Sequence, residues 1–397
     1  MIPLLRQSFN QQFSPDRHQQ YQREVSRIFN LSPQFKLLET PVFLPTNLTI
    51  QLQSACRSII SQLQAPTFRN ESHRAIPPQW NVPDEATDPV FLQFDFAITL
   101  DNNGQISPQL IELQGFPALF FFQIAAFKGF ESIYDLGQTT PYYDGLHLEN
   151  YINLLKKTIL ANHAPEEVIL LEYDPWNQKT ALDFAGAKKL LGIPIIDIQD
   201  IEYKNKNLFY TNKKNKKIKI KRIFNRVILD ELDQKIKHPI PFNLRQKINA
   251  EWVDHPNWFL KYSKFALPFI HGDFAPHSVF LHQWAGSPHS LKNYVLKPIF
   301  SFSGNGVQLN PTQHSIQNIK NKNQFILQQK ITYAPILPSP QKQLSQVEVR
   351  VMLIQNPNKK SEYQFMTNLV RAGRQGIMGT QHQSNQNWTG GGIALML

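Results

Sequence analysis

The 397-residue chain has a single cysteine, Cys56, which excludes an internal disulfide framework and any cysteine-built zinc site. Cys56 lies in the amphipathic stretch LTIQLQSACRSIISQLQ and is expected to be a buried structural thiol. No run of about 18 apolar residues occurs, so no membrane-spanning helix is expected. The start, MIPLLRQSFNQQF, lacks the basic region and long apolar core of a secretory signal, and a cytoplasmic location is expected. Both the GxGxxG turn of a nicotinamide site and the GxxxxGK[ST] turn of a P-loop are missing. Acid is missing from one place in particular. Residues 204–222, KNKNLFYTNKKNKKIKIKR, carry eight lysines and one arginine, so of the net charge of +11 only +2 lies elsewhere. This is a local basic ribbon, with KIKIKR alternating like a strand and TNKKNKK reading as a hairpin tip. A solvated hairpin and a polyanion site both fit it, and nucleic acid is not the expected partner.

What is present belongs to a folded protein: 41% hydrophobic and 18% charged residues, in a chain long enough for two or three domains. The segment 1–90 is rich in Gln, Pro and Ser, with one clear helix near 48–64. FLQFDFAITL (91–100) and QLIELQ (109–114) read as strands joined across DNNG, and 147–162 as a helix. The strand EEVILLEY (166–173), the helix 178–192 closed by a glycine, and the strand IPIIDIQDI (193–201) form a right-handed parallel unit, which IKRIFNRVILDEL closes. Beyond about 240, strands alternate with glycine turns. The expected divisions are 1–162, 163–240 and 241–397.

The stretch VLKPIFSFSGNGVQ (295–308) puts Lys297 at the end of an apolar strand, just before a loop with little side chain. Backbone N–H groups can close on a phosphate there while the ammonium supplies charge. An ordinary β-hairpin with positive φ at Gly304 and Gly306 fits equally well. QFILQQKI (324–331) reads as an edge strand able to pair with an adenine. In VEVRVMLI (347–354), Glu348 and Arg350 fall on one face and Val347, Val349 and Val351 on the other. NLVRAGRQGIMG and WTGGGIALML add arginines and a glycine run. Antiparallel pairing across DNNG brings Asp95 and Glu112 together, as a magnesium pair facing nucleotide phosphates requires.

As a set, VLKP, SFSGNGV, ILQQKI, VEVR, NLVR with GGG, and FDFAI…LIELQ resemble the ATP-grasp superfamily. The metal-binding strands precede the nucleotide motifs, the order of its circularly permuted, glutathionylspermidine-synthetase-like members. The resemblance covers residues 90–397. It implies an α+β ATP-grasp fold, circularly permuted, around a small α/β domain, with WTGGGIALML and FLQFDFAITL as neighbouring strands. It implies ATP- and Mg²⁺-dependent ligation of a carboxylate to an amine, on small-molecule or peptide substrates, through an acyl phosphate. Lys297 would bind the α- or β-phosphate, with Lys264 a second nucleotide lysine against the alternative of an exposed structural one. Ser301, Ser303, Gly304, Asn305 and Gly306 would cover the phosphates, and Gln329, Lys330 and Ile331 would hold adenine. Glu348 would belong to the nucleotide site, Asp95, Glu112 and Gln114 would hold magnesium, and Arg350 and Arg371 would stabilise the transferred phosphoryl group. Two positions depart from the family pattern: Gln114 stands for Asn, and Gln93 for Arg. Both favour an alternative, a catalytically silent relative serving as a nucleotide-binding or interaction module. A third reading rests on HGDFAPHSVFL (271–281), which resembles the catalytic loop of aminoglycoside-phosphotransferase-type kinases. There Ser278 replaces the metal-binding Asn, and the motif order is that of no kinase.

Overall fold

The computed structural model describes residues 2–235, 240–300, 305–374, 378 and 386–397. The N-terminal segment holds more helix than its composition announces. Helices α1 (Pro3–Gln12) and α2 (Pro15–Phe29) each begin at a proline, where the missing N–H costs nothing. Ser14 caps α2 by accepting from the Arg17 N–H, and Tyr21, Val25 and Phe29 form its buried stripe. Helix α3 (Thr46–Gln64) buries Leu48, Leu52, Cys56, Ile59 and Leu63 on one face. Strands β1 (Phe91–Leu100) and β2 (Ile106–Gln114) follow, then the helices α4 (Phe120–Glu131) and α5 (Leu148–Leu160).

The middle of the chain contains β3 (Val168–Glu172), α6 (Ala181–Leu191) and β4 (Ile195–Asp197). After them come β5 (Glu202–Lys204), β6 (Asn207–Thr211), β7 (Lys217–Ile220), β8 (Arg222–Asn225) and β9 (Glu251–Trp252). Strands β9-β8-β3-β4 make a wholly parallel sheet, and β5-β6-β7 an antiparallel one carrying the basic ribbon. The strand expected over 193–201 is short, because a 3₁₀ turn takes over at Ile198–Asp200. Towards the C-terminus, β10 (Ser278–Phe280), β11 (Tyr294–Pro298) and β12 (Phe325–Gln329) form an antiparallel sheet in the order β10-β12-β11. QFILQQKI is therefore a central strand, not an edge. Leu296 of β11 and Gln308 exchange backbone hydrogen bonds of 3.0 and 2.9 Å in an isolated antiparallel bridge.

The last strands are β13 (Leu344–Asn356), β14 (Lys359–Gly373) and β15 (Gly390–Gly392). They join the first two in one antiparallel sheet, β15-β14-β13-β1-β2. The C-terminal glycine strand and FLQFDFAITL thus share a sheet without being neighbours, since β14 and β13 lie between them. VEVRVMLI is the neighbour of β1, and Ala394–Leu395 pair instead with Val42–Phe43. On β13, Val347, Val349, Val351 and Leu353 pack into the core under α3, as do Leu92, Phe94 and Phe96 of β1. The opposite face changes character along its length. Met352 and Ile354 join the core beneath α2, α4 and α5, whereas Glu348 and Arg350 meet the cleft.

Candidate functional site

Register across four strands builds the centre of the site. Glu348 of β13 lies opposite Arg371 of β14, and Arg350 opposite Asp95 of β1, which lies opposite Glu112 of β2. Period-two alternation puts these side chains on one face. Asp95 Oδ1 accepts from Arg350 Nε at 2.6 Å, and Oδ2 accepts from Arg350 Nη2 at 2.7 Å and Arg371 Nη2 at 2.6 Å. Burial pushes the Asp95 carboxyl up, but the two guanidiniums outweigh it and hold the pKa at about 2. Arg371 also donates through Nε to Glu348 at 3.0 Å, and Glu348 accepts from the Tyr333 hydroxyl at 2.5 Å. Burial raises the Glu348 carboxyl, against the pull of Arg371.

Two lysines reach this row from outside the sheet. Lys264, at the head of the 3₁₀ segment Lys264–Phe269, is only 3% exposed, which removes the alternative of an exposed structural lysine. Its Nζ lies 3.1 Å from Glu112 Oε1. Lys297 of β11 donates to the Ile111 carbonyl at 3.1 Å and to Gln328 Oε1 at 2.5 Å. Ile111 is the extra residue of a bulge in β2, between the partners of Asp95 and Phe96. Burial lowers the Lys297 ammonium to about 8, even with Glu112 nearby.

Two cavities open on the row. One lies between the sheets and is walled by Val295, Val307, Leu309 and Ile331, with Lys297 and Tyr333 beside them. The other runs between the main sheet and the parallel sheet, to Glu172, Gln178 and Arg226. Glu112, Gln114, Lys264 and Arg371 border both. The first cavity has the general form of a small-molecule pocket, apolar walls with polar groups at one end.

Most of the residues singled out in the sequence gather here. Gln329 and Ile331 line the first cavity, whereas Lys330 does not: its N–H is bonded to the Asn293 carbonyl and its Nζ to Asn310. Asn305 borders the second cavity. Gly306 has φ +70°, and a Cβ there would stand 2.8 Å from Pro298, so glycine is required at that turn. Ser301, Ser303 and Gly304 lie outside the described residues. Arg350 is not free for a phosphoryl group, because its third contact is Nη1 to Gln93 Oε1 at 2.9 Å. An arginine at 93 would set two like charges together; glutamine accepts instead.

The residues assigned to magnesium fit it only in part. Asp95 has both oxygens on guanidiniums, and among the described residues no group of three His, Cys, Asp or Glu side chains is arranged to hold a metal. Glu112 and Gln114 offer one carboxylate and one amide carbonyl, enough for magnesium only when phosphates complete the shell.

Sequence reading passed over Glu172 and Arg226. They stand at the carboxyl ends of β3 and β8, where the Arg226 N–H bonds the Leu171 carbonyl at 2.9 Å. The chain leaves β3 for β4 on one side and returns to β8 on the other, so the gap between β3 and β8 is the topological switch point of the sheet. Open parallel sheets bind ligands at such a point. Burial pushes the Glu172 carboxyl up to about 8. Arg226, 4% exposed, pairs with Asp183 at 3.2 Å, and its Nε has no partner among the described residues. A charged residue just past a buried parallel strand was the available signal.

No protein-family model matches the sequence, and no curated protein matches it. Among solved structures the chain is similar to a glutathione synthetase-like effector from Globodera pallida in its apo form. The TM-score is 0.56, over 93% of this chain and 94% of that one, at 12% identity. At that identity the likeness is one of fold alone, an α+β architecture. No helix among the described residues is long and apolar enough to cross a membrane.

Proposed function

We propose that the protein is an ATP-dependent, ADP-forming ligase of the circularly permuted ATP-grasp kind, joining a carboxylate to an amine on an amino-acid-like or peptide substrate. One observation carries the reading: a cavity with apolar walls and a polar end, and a second cavity running to Glu172 and Arg226, meet at Glu112, Gln114, Lys264 and Arg371. ATP in the first cavity would lay its base between Val295, Val307, Leu309 and Ile331, and its phosphates towards Lys297 and Lys264. The acceptor in the second would place an ammonium at Glu172 and a carboxylate at Arg226, with its reacting carboxylate towards Arg371. The reacting carboxylate oxygen attacks the γ-phosphorus and ADP leaves; an amine then displaces phosphate from the acyl phosphate, giving the amide. Such chemistry rests on neutralising crowded anions away from water, which two lysines and an oriented arginine provide. Glu112 and Gln114 are the residues that would hold magnesium with the phosphates, where it supplies further charge neutralisation.

The test is ADP release from Mg-ATP in the presence of pools of amino acids and short peptides, with mass spectrometry of the products. ATP-stabilised protein that yields no ADP with any pool would favour the second reading, a silent nucleotide-binding module, to which Gln93 and Gln114 already point. Protein without a thermal shift at millimolar ATP would refute both, because a ligand at 100 times its Kd adds about 2.7 kcal/mol. The kinase reading finds no support in the site, since His271, Asp273 and Ser278 line neither cavity.

A further inference from the structure

The resemblance places a metal ligand at Asp95, and the side chain found there is in no state to serve as one. Magnesium asks for free oxygen lone pairs at about 2.0–2.1 Å in near-octahedral array. Asp95 is 2% exposed and directs both oxygens at guanidinium N–H groups 2.6 to 2.7 Å away. A dication on either oxygen would stand against two fixed positive charges. Neither arginine is loosely held. Arg350 is anchored a second time on Gln93, and Arg371 a second time on Glu348, which Tyr333 holds in turn. The result is one continuous chain of contacts, Tyr333–Glu348–Arg371–Asp95–Arg350–Gln93, spanning β14, β13 and β1.

Within that chain only Arg371 borders both cavities. Its Nε and Nη2 are tied back to Glu348 and Asp95, and its Nη1 has no partner among the described residues. A guanidinium held by two of its three nitrogens presents the third in a fixed direction, because the fork is planar and rigid. The two carboxylates behind it also offset its charge, so the site is assembled before any ligand arrives.

We propose that Asp95 is a positioning residue that fixes the Arg371 guanidinium at the junction of the two cavities, and that it ligates no metal. The proposal rests on the nucleotide reading above. It assigns any magnesium dependence to Glu112 and Gln114, and gives Asp95 and Arg371 a shared role that does not involve the cation.

The experiment titrates a non-hydrolysable ATP analogue into the full chain, at a series of magnesium concentrations and in EDTA, for wild type, Asp95→Asn, Arg371→Lys, Glu112→Gln and the Asp95→Asn/Arg371→Lys double variant. Asp95→Asn is expected to weaken the analogue about tenfold at every magnesium level, with the magnesium midpoint within about twofold of wild type. Arg371→Lys should reproduce that loss, and the double variant should be no worse than either single one, as for two residues acting as a unit. Glu112→Gln should move the midpoint. A midpoint displaced about fivefold or more by Asp95→Asn, with binding retained, overturns the proposal and leaves the nucleotide reading standing. If Asp95→Asn does not fold, Arg371→Lys decides alone. Asp95 as a ligand, relieved of one guanidinium, would then bind magnesium at a lower midpoint, whereas a positioning Asp95 leaves it unchanged. Wild-type protein that binds no analogue under any condition overturns the nucleotide reading, and this proposal with it.

Discussion

Glu172 and Arg226 stand side by side at the carboxyl edge of the parallel sheet, one on each side of its topological switch point. They make no ion pair with each other. Arg226 turns to Asp183, and Glu172 accepts from the N–H of Tyr173 at 2.8 Å. A carboxyl group half withdrawn from water beside an arginine already engaged elsewhere is poorly provided for in the empty protein. It is well placed for a ligand that brings its own ammonium.

Glu172→Gln is therefore expected to stabilise the empty protein and impair substrate use. Burial raises this carboxyl in the folded state from 4.5 to about 8. Below pH 4.5 both folded and unfolded chains hold the proton and the group contributes nothing. As pH rises from there to about 8, the unfolded chain releases its proton first, so stability falls across that window. The glutamine variant escapes this loss. Thermal melts should show it a few degrees above wild type at pH 8 and indistinguishable at pH 4. Amino-acid-dependent ADP release, if found in wild type, should show a KM raised about tenfold or more. Identical melting curves at both pH values would remove Glu172 from the account.

Lys297 gives the cavity proposed for the nucleotide a pH dependence of its own. Burial brings its ammonium to about 8 against 10.5 in the unfolded chain, with Glu112 opposing the shift. An arriving phosphate needs the charged form, so ATP affinity should be level below pH 8 and fall as pH rises above it, by up to about tenfold per unit. Lys297→Met should bind ATP weakly at pH 7 and show no such fall. The same substitution should make the empty protein more stable at pH 7, because a lysine whose folded value is lowered costs stability until pH rises through that window. Calorimetric titrations at pH 7, 8 and 9 measure the first effect. A wild-type affinity that does not change across them would contradict it.

How much of this was legible beforehand depends on which signal each element gives. The hairpin β1–β2 was plain from the strand-like runs flanking a DNNG turn, but Asp95 lies opposite Glu112 only because of the bulge at Ile111; unbroken alternation from the turn would set it opposite Ile111. Register, however, says which carboxylates face each other and not what fills the space between strands. The guanidiniums come from β13 and β14, some 250 residues later in the chain, and only the sheet order β14-β13-β1-β2 brings them onto Asp95. Lys264 was hidden for a similar reason. Nothing local in NWFLKYSKFALP tells that its ammonium meets Glu112, so the sequence left a nucleotide lysine and an exposed structural one both open. Helices α1 and α2 escaped because Gln, Ser and Arg dominate their outer faces, and the buried stripe of α2 is only three residues. α4 escaped for the opposite reason. FFFQIAAF is apolar all round, as suits a helix buried on every side, and it carries no amphipathic period to detect.

That buried helix explains the last prediction. The first N–H groups of α4 have no water to turn to, and Asp183 of α6 answers them: its carboxylate accepts from Leu119, Phe121 and Phe122 at 2.7 to 3.0 Å. Its charge also balances Arg226, which lies between the rings of Phe116 and Phe184, each about 5 Å away. Asp183 thus joins the core helix to the switch-point arginine. Asp183→Ala removes an acceptor from three buried donors and leaves a buried guanidinium without its partner. It should cost about 3–5 kcal/mol in denaturant unfolding, the range for breaking a buried pair. Most of the cost arises from the stranded charge, so adding Arg226→Met to Asp183→Ala should restore about half of the stability. It should not restore substrate-dependent turnover, because Arg226 lines the cavity proposed for the acceptor. A double variant as unstable as the sum of the two single ones would show that Asp183 serves the helix alone and that the arginine stands independently of it.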